Sequence, residues 1–313
     1  MKKQQKYRIR NWSNYNKALV KRGSLILWFD EKSTNKWADA PKTGKRGRPY
    51  KYADIAILCM LTLKAVFHMP LRATQGFVAS LIKLLDLPIK AADYTTLCRR
   101  QKYLQIPLHR YNRREALHAV FDSTGLKIFG EGEWKVRKHG YSKRRTWRKL
   151  HLGIDEATGE IIATVLSTND VGDGEMLPNL IEQIAGPLRQ VSGDGAYNSF
   201  ENYNLLSKRG VKITIPPREN SKIRQHGNCK DPPLMRDETI RAVRKLGLAK
   251  WKKLNGYHRR SLSETAMFRY KKILGDNLCA ILFENQANEA FIKCNVLNKM
   301  TALGMPDSYA VTC

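Results

Sequence analysis

Three carboxylates stand where this chain could assemble a metal site. Asp122 closes the apolar run ALHAVFD, and Asp194 follows a second apolar segment in the sequence SGDG. Glu264 lies in a stretch from Tyr257 to Lys271 that contains neither Gly nor Pro. Acidic groups that different elements deliver to one place can share a metal ion. Each Asp taken singly has a simpler explanation, because an Asp after a strand often only forms a turn.

Glu264 shares its predicted helix face with three other functional side chains. At about 100° per residue, Tyr257, Arg260, Glu264 and Lys271 fall within about 60° of one another. One stripe would then carry a phenol, two cations and a carboxylate. A salt bridge between Arg260 and Glu264, four positions apart, would explain part of the same pattern on an exposed helix.

The elements that must position these residues alternate between strands and helices from residue 113 onward. The runs KLHLGID and EIIATVLS flank the turn EATG and predict an antiparallel hairpin. The predicted order is three strands, then helix, strand, helix, strand, with Asp122 at the end of the first strand and Asp194 after the fourth. This order resembles the ribonuclease H-like fold, an α/β fold with a mixed sheet whose strand ends hold the site.

The first 110 residues instead show helical patterns. We predict helices over 12–28, 53–67 and 71–85 and a further helix from Asp93, with a linker at 41–51. The last three helices favour a helix-turn-helix that contacts DNA through Arg99, Arg100 and Lys102. The linker cations Arg46 and Arg48 could enter a minor groove. A small helical bundle with an ordinary charged face is the alternative.

The overall charge points to a polyanionic partner. The chain has 56 Lys and Arg against 28 Asp and Glu, a formal net charge of +28. Such an excess attracts nucleic acid, either for chemistry or for binding alone. The most apolar stretch, residues 55–67, is broken by Lys64 and is shorter than the about 18 residues that a membrane helix needs. No membrane partner is expected, and six cysteines without a CxxC pair favour a reducing cytoplasm.

Three motifs together resemble a known family. Tyr257, Arg260, Glu264 and Lys271 match the Y(2)R(3)E(6)K signature of bacterial insertion-sequence DDE transposases. The segments FDST around Asp122 and GDGAY around Asp194 are similar to the first and second acidic motifs of that family. Length, basic character and the ending LGMP are similar to the insertion-sequence five family, in particular its nine-oh-three-like group.

The resemblance implies a ribonuclease H-like catalytic domain over 113–275, with Asp122, Asp194 and Glu264 as a triad that binds two Mg²⁺ or Mn²⁺ ions. It implies that Tyr257, Arg260 and Lys271 bind DNA phosphates. The implied partners are double-stranded DNA, as terminal inverted repeats and as target, and a second copy of the chain on paired DNA ends. The chain departs from many relatives at Gly195, where they carry Lys, which puts a basic contact in doubt but not the acidic position.

Several interpretations stay open from the sequence. Residues 216–255 form an insertion that either contacts DNA or is a mobile solvated loop. The basic aromatic stretch 135–149 either contacts phosphates or is a flexible basic hairpin, and 276–313 is interpreted as a C-terminal tail. Three functions fit: an active transposase, a nuclease of the same fold without strand transfer, and a DNA-binding protein that has lost catalysis. We expect the first, in the bacterial cytoplasm at the nucleoid.

Overall fold

The computed structural model describes residues 6–40, 50–110, 116–128, 147–227 and 230–311, with the main chain only at residues 6 and 32. The chain divides into two compact units. One unit is Met1–Tyr111 with Asn295–Cys313, and the other is Asn112–Cys294. The predicted linker 41–51 and most of the basic stretch 135–149 lie outside the described residues.

The described elements follow one another in this order. The amino-terminal elements are β1 Lys6–Ile9, α1 Trp12–Arg22, α2 Leu25–Trp28, α3 Glu31–Asn35, α4 Asp54–Val66, α5 Leu71–Leu84 and α6 Tyr94–Gln101. They are followed by β2 Leu117–Ile128, β3 Arg148–Asp155, β4 Ile161–Thr168, α7 Leu177–Glu182, β5 Leu188–Ser192, α8 Phe200–Lys208, β6 Lys212–Thr214, α9 Met235–Leu246, α10 Leu248–Leu254, α11 Ser261–Leu274, β7 Asn277–Leu278, α12 Phe283–Leu303 and β8 Ser308–Val311. Short 3₁₀ turns occupy Asp173–Met176, Gly195–Tyr197 and Tyr257–Arg260.

The first unit is built on helices, as the patterns predicted. α4 is apolar almost throughout and buries Ile57, Met60 and Leu63. The predicted single helix over 12–28 is wrong, because Gly23 ends α1 and the extended residue Ser24 separates it from α2. The predicted tail 276–313 contains β7, the 21-residue helix α12 and β8, which pairs antiparallel with β1.

Helix α6 begins as predicted but does not expose all of its cations. The side chain of Asp93 caps the helix by accepting from the Thr95 amide at 2.8 Å. Arg99 is exposed, whereas Arg100 is only 6% exposed. The Arg100 guanidinium donates to the Tyr52 carbonyl at 3.0 Å and lies 3.8 Å from the Tyr50 ring centroid. In this structure the charge of Arg100 is used inside the helical unit, and the DNA contact expected of this residue stays a prediction.

The helices and the cysteines bear on the expectations about membranes and thiols. Among the described residues, no single helix is long and apolar enough to cross a bilayer. Helices α4 and α5 meet the length and composition test only as a pair, and the pair is bent by 111°. Cys59, Cys98, Cys279 and Cys294 are free thiols.

The second unit contains the predicted mixed sheet. Its strand order is β4-β3-β2-β5-β6, with β7 added beside the far part of β2. β2 pairs antiparallel with β3 and parallel with β5, and β3 and β4 form the predicted antiparallel hairpin. The predicted α/β class and mixed sheet are confirmed.

The two faces of this sheet differ in polarity. Alternate residues of a strand point to opposite faces, so Ala119 and Phe121 face the apolar core against α7 and α8. The other face carries polar side chains that are almost fully buried: His118, Gln190, Ser192 and Thr214. Buried polar groups need hydrogen-bond partners, and this face therefore selects what can pack on it.

Gly153 is required by a close approach across the sheet. It pairs with Phe121, which is fully buried. A Cβ atom at position 153 would lie 2.6 Å from Cε1 of Phe121. No side chain fits there unless the ring moves, and the ring is part of the apolar core.

We expect Gly153→Ala to lower the free energy of unfolding by about 1–3 kcal/mol through overpacking. Gly76→Ala on α5 is the matched control, because no atom lies within 4 Å of the added Cβ. That control should raise the stability by about 0.5–1 kcal/mol, the usual gain for Gly to Ala within a helix. Urea denaturation measures both, and equal stability of the two variants would contradict the packing argument.

Candidate active site

Asp122 lies inside β2 rather than at its end. The sequence predicted that the strand stops there, but β3 continues to pair with β2 as far as Leu126. The parallel partner β5 does stop, and its last pair is Val120 with Ser192. Asp122 therefore lies two residues beyond the end of the parallel pairing, where a neighbouring strand no longer covers that side of β2.

Asp194 occupies the matching position on the other strand. It lies two residues beyond Ser192, just as Asp122 lies two residues beyond Val120. Both aspartates therefore lie at the same distance past the last pair of β2 and β5. Its Oδ1 accepts from the Ala196 amide at 2.9 Å and caps the turn Gly195–Tyr197. A Cβ on Gly193 would lie 2.8 Å from the Tyr197 ring, so glycine lets this ring pack beside the Asp194 turn.

Arg260 joins two of the three predicted carboxylates. Its Nη1 donates to Oδ2 of Asp122 at 2.8 Å, and its Nη2 donates to Oε1 of Glu264. The predicted salt bridge between Arg260 and Glu264 is therefore present, and the same guanidinium also reaches β2. Glu264, at the start of α11, is 58% exposed, whereas Arg260 and Asp122 are 21% and 15% exposed.

The four signature residues do not form a single α-helical stripe. Tyr257 and Arg260 belong to the 3₁₀ turn that precedes α11, because Gly256 adopts a left-handed conformation with φ of 66° and separates α10 from the turn. Arg260 still lies 5.9 Å from the Tyr257 ring centroid. Lys271 lies two turns beyond Glu264 on α11, and among the described contacts none joins it to the three carboxylates.

Ser263 is a site residue that the sequence did not indicate. It is fully buried, and its hydroxyl lies 3.1 Å from Oδ2 of Asp122 and 2.7 Å from the Arg260 carbonyl. Serine is common at the start of helices, so its type and position carry no signal. Its contact with Asp122 depends on how α11 packs on the sheet.

The charges in the site act on one another. Burial raises the pKa of Asp122, Arg260 and two hydrogen bonds oppose this, and the charge of Asp194 adds to it. Burial would lower the pKa of Arg260, but the charges of Asp122, Tyr257, Glu264 and Asp194 outweigh it and raise this pKa. The three carboxylates therefore act on a single guanidinium.

Tyr257 and Tyr197 lie close enough to the same carboxylates to be affected by their charge. Burial raises the pKa of Tyr257, and the charges of Asp194, Asp122 and Glu264 add to it against Arg260. Burial also raises the pKa of Tyr197 well above its usual range, together with Asp122, Asp173 and Asp194. The Tyr197 hydroxyl is buried and has no hydrogen-bond partner among the described residues. Both phenols stay protonated donors beside a negatively charged site.

The donor set suits a hard divalent cation. Asp122, Asp194 and Glu264 offer only carboxylate oxygens, which Mg²⁺ and Mn²⁺ prefer. In the part of the chain that the structure describes, no three His, Cys, Asp or Glu side chains lie close enough together to hold a metal ion. The cation recorded between Asp122 and Glu264 is the Arg260 guanidinium.

The remaining predicted DNA contacts fall into two groups. Arg99 and Lys102 of the helical unit are exposed, with Lys102 4.6 Å from the Tyr103 ring centroid. Arg46 and Arg48 lie outside the described residues. Two of the three contact residues predicted on and just after α6 are thus at the surface.

The insertion at 216–255 is folded where the structure describes it. Helices α9 and α10 fill its second half. The fully buried carboxylate of Asp237 accepts from the amides of Arg224 and Gln225 at 2.9 and 2.8 Å. The cations of Arg224 and Arg236 lie 3.7 and 4.3 Å from the centroid of Phe200, at the start of α8. These contacts contradict a purely solvated loop.

Comparison with known proteins gives two family matches and a structural likeness. Residues 113–299 match a family model described as "Transposase DDE domain", and residues 20–131 match a second model with the same description. The chain is similar to a solved piggyBac transposase synaptic complex with hairpin DNA, with 11% sequence identity and a TM-score of 0.41. That likeness covers 91% of this chain and 75% of the other.

We expect Arg260→Gln to lower the free energy of unfolding by about 1–3 kcal/mol at pH 7, because a largely buried carboxylate loses its cation. Without Arg260 the pKa of Asp122 rises further above its ordinary value. The contribution of Asp122 to the free energy of unfolding is then fully present below its ordinary pKa and is lost as the pH rises through its raised pKa. The cost of the substitution should therefore shrink toward pH 4.

Urea unfolding at pH 4 and pH 7 measures this difference. Lys127→Gln is the control, because Lys127 and its partner Asp276 are 42% and 47% exposed and such surface pairs contribute about 0–1 kcal/mol. An Arg260→Gln cost that is the same at both pH values would contradict the coupling of Arg260 to Asp122.

Proposed function

Because this chain belongs to the transposase DDE domain family, we propose that it is the transposase of an insertion sequence of the insertion-sequence five type, which binds terminal inverted repeats and catalyses metal-dependent cleavage and strand transfer. The catalytic core is the second unit, with a ribonuclease H-like sheet. The first unit recognises DNA.

The observation that carries the proposal is that Arg260 joins two carboxylates from different elements within reach of the charge of a third. Asp122 comes from β2, Asp194 from the turn after β5 and Glu264 from α11. Arg260 bonds to the first and third, and the charge of Asp194 acts on both Arg260 and Asp122. A structural salt bridge needs only one carboxylate. Three carboxylates whose charges act on the same guanidinium favour a site for cations.

The proposed ligands for two Mg²⁺ or Mn²⁺ ions are Asp122, Asp194 and Glu264. When bound, such ions activate an attacking hydroxyl and stabilise the leaving oxygen of an in-line displacement at phosphorus. Asp122 and Asp194 are set by the strand register, so the sheet orients them before DNA arrives. Glu264 is the exposed member and is therefore the one that DNA reaches first.

Arg260, Tyr257 and Lys271 are the proposed phosphate ligands. Arginine can hold two phosphate oxygens with its two N–H edges, and lysine acts as a point charge. Nη1 and Nη2 of Arg260 each donate to a carboxylate in this structure, and the guanidinium has three further N–H donors that phosphate can use. The protonated Tyr257 hydroxyl is available as a donor on the same turn.

DNA recognition outside the active site is assigned to the helical unit. Arg99 on α6 and Lys102 just after it are exposed, and Arg100 lies between them. Arg46 and Arg48 belong to the adjoining basic segment. The net charge of +28 supports tight, salt-sensitive binding of duplex DNA. We also propose that two copies associate on paired DNA ends and that the protein acts at the bacterial nucleoid.

Strand cleavage and joining on a linear duplex that carries the candidate ends tests the proposal. With Mg²⁺, the wild type should produce new 3′-hydroxyl ends and joined products. Asp122→Asn, Asp194→Asn and Glu264→Gln should each lower the rate at least about a thousandfold, because a lost metal ligand removes the electrostatic stabilisation of the transition state. DNA affinity should change little.

Glu238→Gln is the matched control, since it removes a carboxylate from an exposed pair on α9. It should cut and join like the wild type. Binding of the ends by the wild type without metal-dependent cutting would overturn the enzymatic proposal and favour a protein that only binds DNA. Cutting without joining would favour a nuclease.

A further inference from the structure

The turn Tyr257–Arg260 has little structure of its own to hold it. It is four residues long, follows the left-handed Gly256 and carries no side-chain cap. Gln190, on the polar face of the sheet, contacts the chain just before the turn, and Glu156, just after β3, contacts the turn itself. We propose that Glu156 and Gln190 are positioning residues that hold this turn so that Arg260 and Tyr257 face Asp122. The inference rests on the proposed function, for which the turn supplies phosphate ligands.

Gln190 holds the chain just before the turn. It lies on β5, is 9% exposed, and its Nε2 donates to the Asn255 carbonyl at 3.2 Å. The same amide nitrogen donates to Oγ1 of Thr214 on β6 at 2.9 Å. Both donor hydrogens are used, so the side chain is fixed from the sheet and in turn fixes the residue that precedes Gly256.

Glu156 holds the turn itself. Its Oε1 accepts from Nε and Nη2 of Arg259, a two-point contact that sets direction as well as distance. The Glu156 side chain is 14% exposed and that of Arg259 is 60% exposed. The fixed member of the pair is therefore the acid at the end of β3, and the arginine is the member that it holds.

Glu156 is itself braced by β2. Its amide donates to the His118 carbonyl at 2.9 Å, and its Oε2 lies 3.9 Å from Nδ1 of His118. His118 Nε2 lies 2.8 Å from the Ser192 hydroxyl on β5. A buried polar chain thus connects the two central strands to Arg259.

The spacing of these contacts explains what they position. Successive side chains of a 3₁₀ turn point about 120° apart, so Arg259 and Arg260 reach different acids. Arg259 reaches Glu156 beside His118, and Arg260 reaches Asp122, four residues or about 13 Å further along the same strand. Fixing Arg259 therefore aims Arg260 along β2 toward the candidate active site.

The fold does not need this contact in order to keep α11 in place. That helix packs through its own buried face, which includes Ala266, Met267, Tyr270 and Leu274. Loss of the Glu156 contact should release the turn while the helix and the sheet remain. A positioning role and a purely structural role can therefore be separated by experiment.

The experiment combines amide hydrogen exchange over residues 254–262 with single-turnover DNA cleavage at saturating DNA and Mg²⁺, using the full chain. Glu156→Ala, Arg259→Ala and Gln190→Met should each speed exchange of the turn roughly tenfold, since a local anchor is lost. Cleavage should slow roughly ten- to a hundredfold, as expected for a misplaced site group. The melting temperature monitors the fold.

The conservative and double variants give the sharpest result. Glu156→Gln keeps an acceptor oxygen for Arg259 and should retain most of the cleavage rate. Glu156→Ala with Arg259→Ala should be no slower than either single variant, because both remove one contact. Glu238→Ala, which breaks the exposed Arg241 pair, is the control and should change neither readout.

Unchanged exchange in Glu156→Ala would overturn the inference, as would additive losses in the double variant. Faster exchange with an unchanged cleavage rate would also overturn it, because the turn would then not need its anchor for the reaction. A wild type that does not cleave DNA would defeat the proposed function alone, and the exchange data would still decide whether Glu156 and Gln190 hold the turn.

Discussion

The contact of the Arg260 guanidinium with both Asp122 and Glu264 is the interaction on which the candidate site depends. Asp122 is largely buried, and burial by itself opposes its charge. Asp194 and Glu264 add like charges nearby, so an ionised Asp122 would lower the stability of the fold without a cation. Arg260 supplies that cation in this structure, and divalent ions bound by the same oxygens would supply it during catalysis. The site is thus a set of acids that requires a positive partner.

The sheet decides where those acids can stand. β2 and β5 end their parallel pairing at Val120 and Ser192, and each strand places an aspartate two residues later. The apolar face of the same strands is fixed by Phe121 against Gly153, so the register cannot slip without turning every side chain over. The polar face then receives the Tyr257–Arg260 turn. The pairing register of β2 therefore positions both the apolar core residues and the candidate active-site residues.

Local patterns predicted much of this arrangement, and tertiary contacts set the rest. The hairpin and the strand and helix order follow from alternation and turn residues, and the acidic motifs follow from the resemblance to a known family. Ser123-Thr124-Gly125 indicated a strand end after Asp122, but pairing with β3 extends the strand through them. Arg100 shows the charge pattern of a DNA contact and is buried by Tyr50 and Tyr52. Ser263, Glu156 and Gln190 gain their partners only when distant segments meet, so their spacing carries no signal.

The most direct measurement is Mn²⁺ affinity in the absence of DNA, followed by electron paramagnetic resonance, for the wild type, Arg260→Gln and Asp122→Asn. If the three carboxylates form a metal site whose charge Arg260 now balances, Arg260→Gln should bind Mn²⁺ several-fold more tightly, because a competing cation is gone. Asp122→Asn should lose binding. Unchanged or weaker binding by Arg260→Gln, with wild-type binding by Asp122→Asn, would contradict the account.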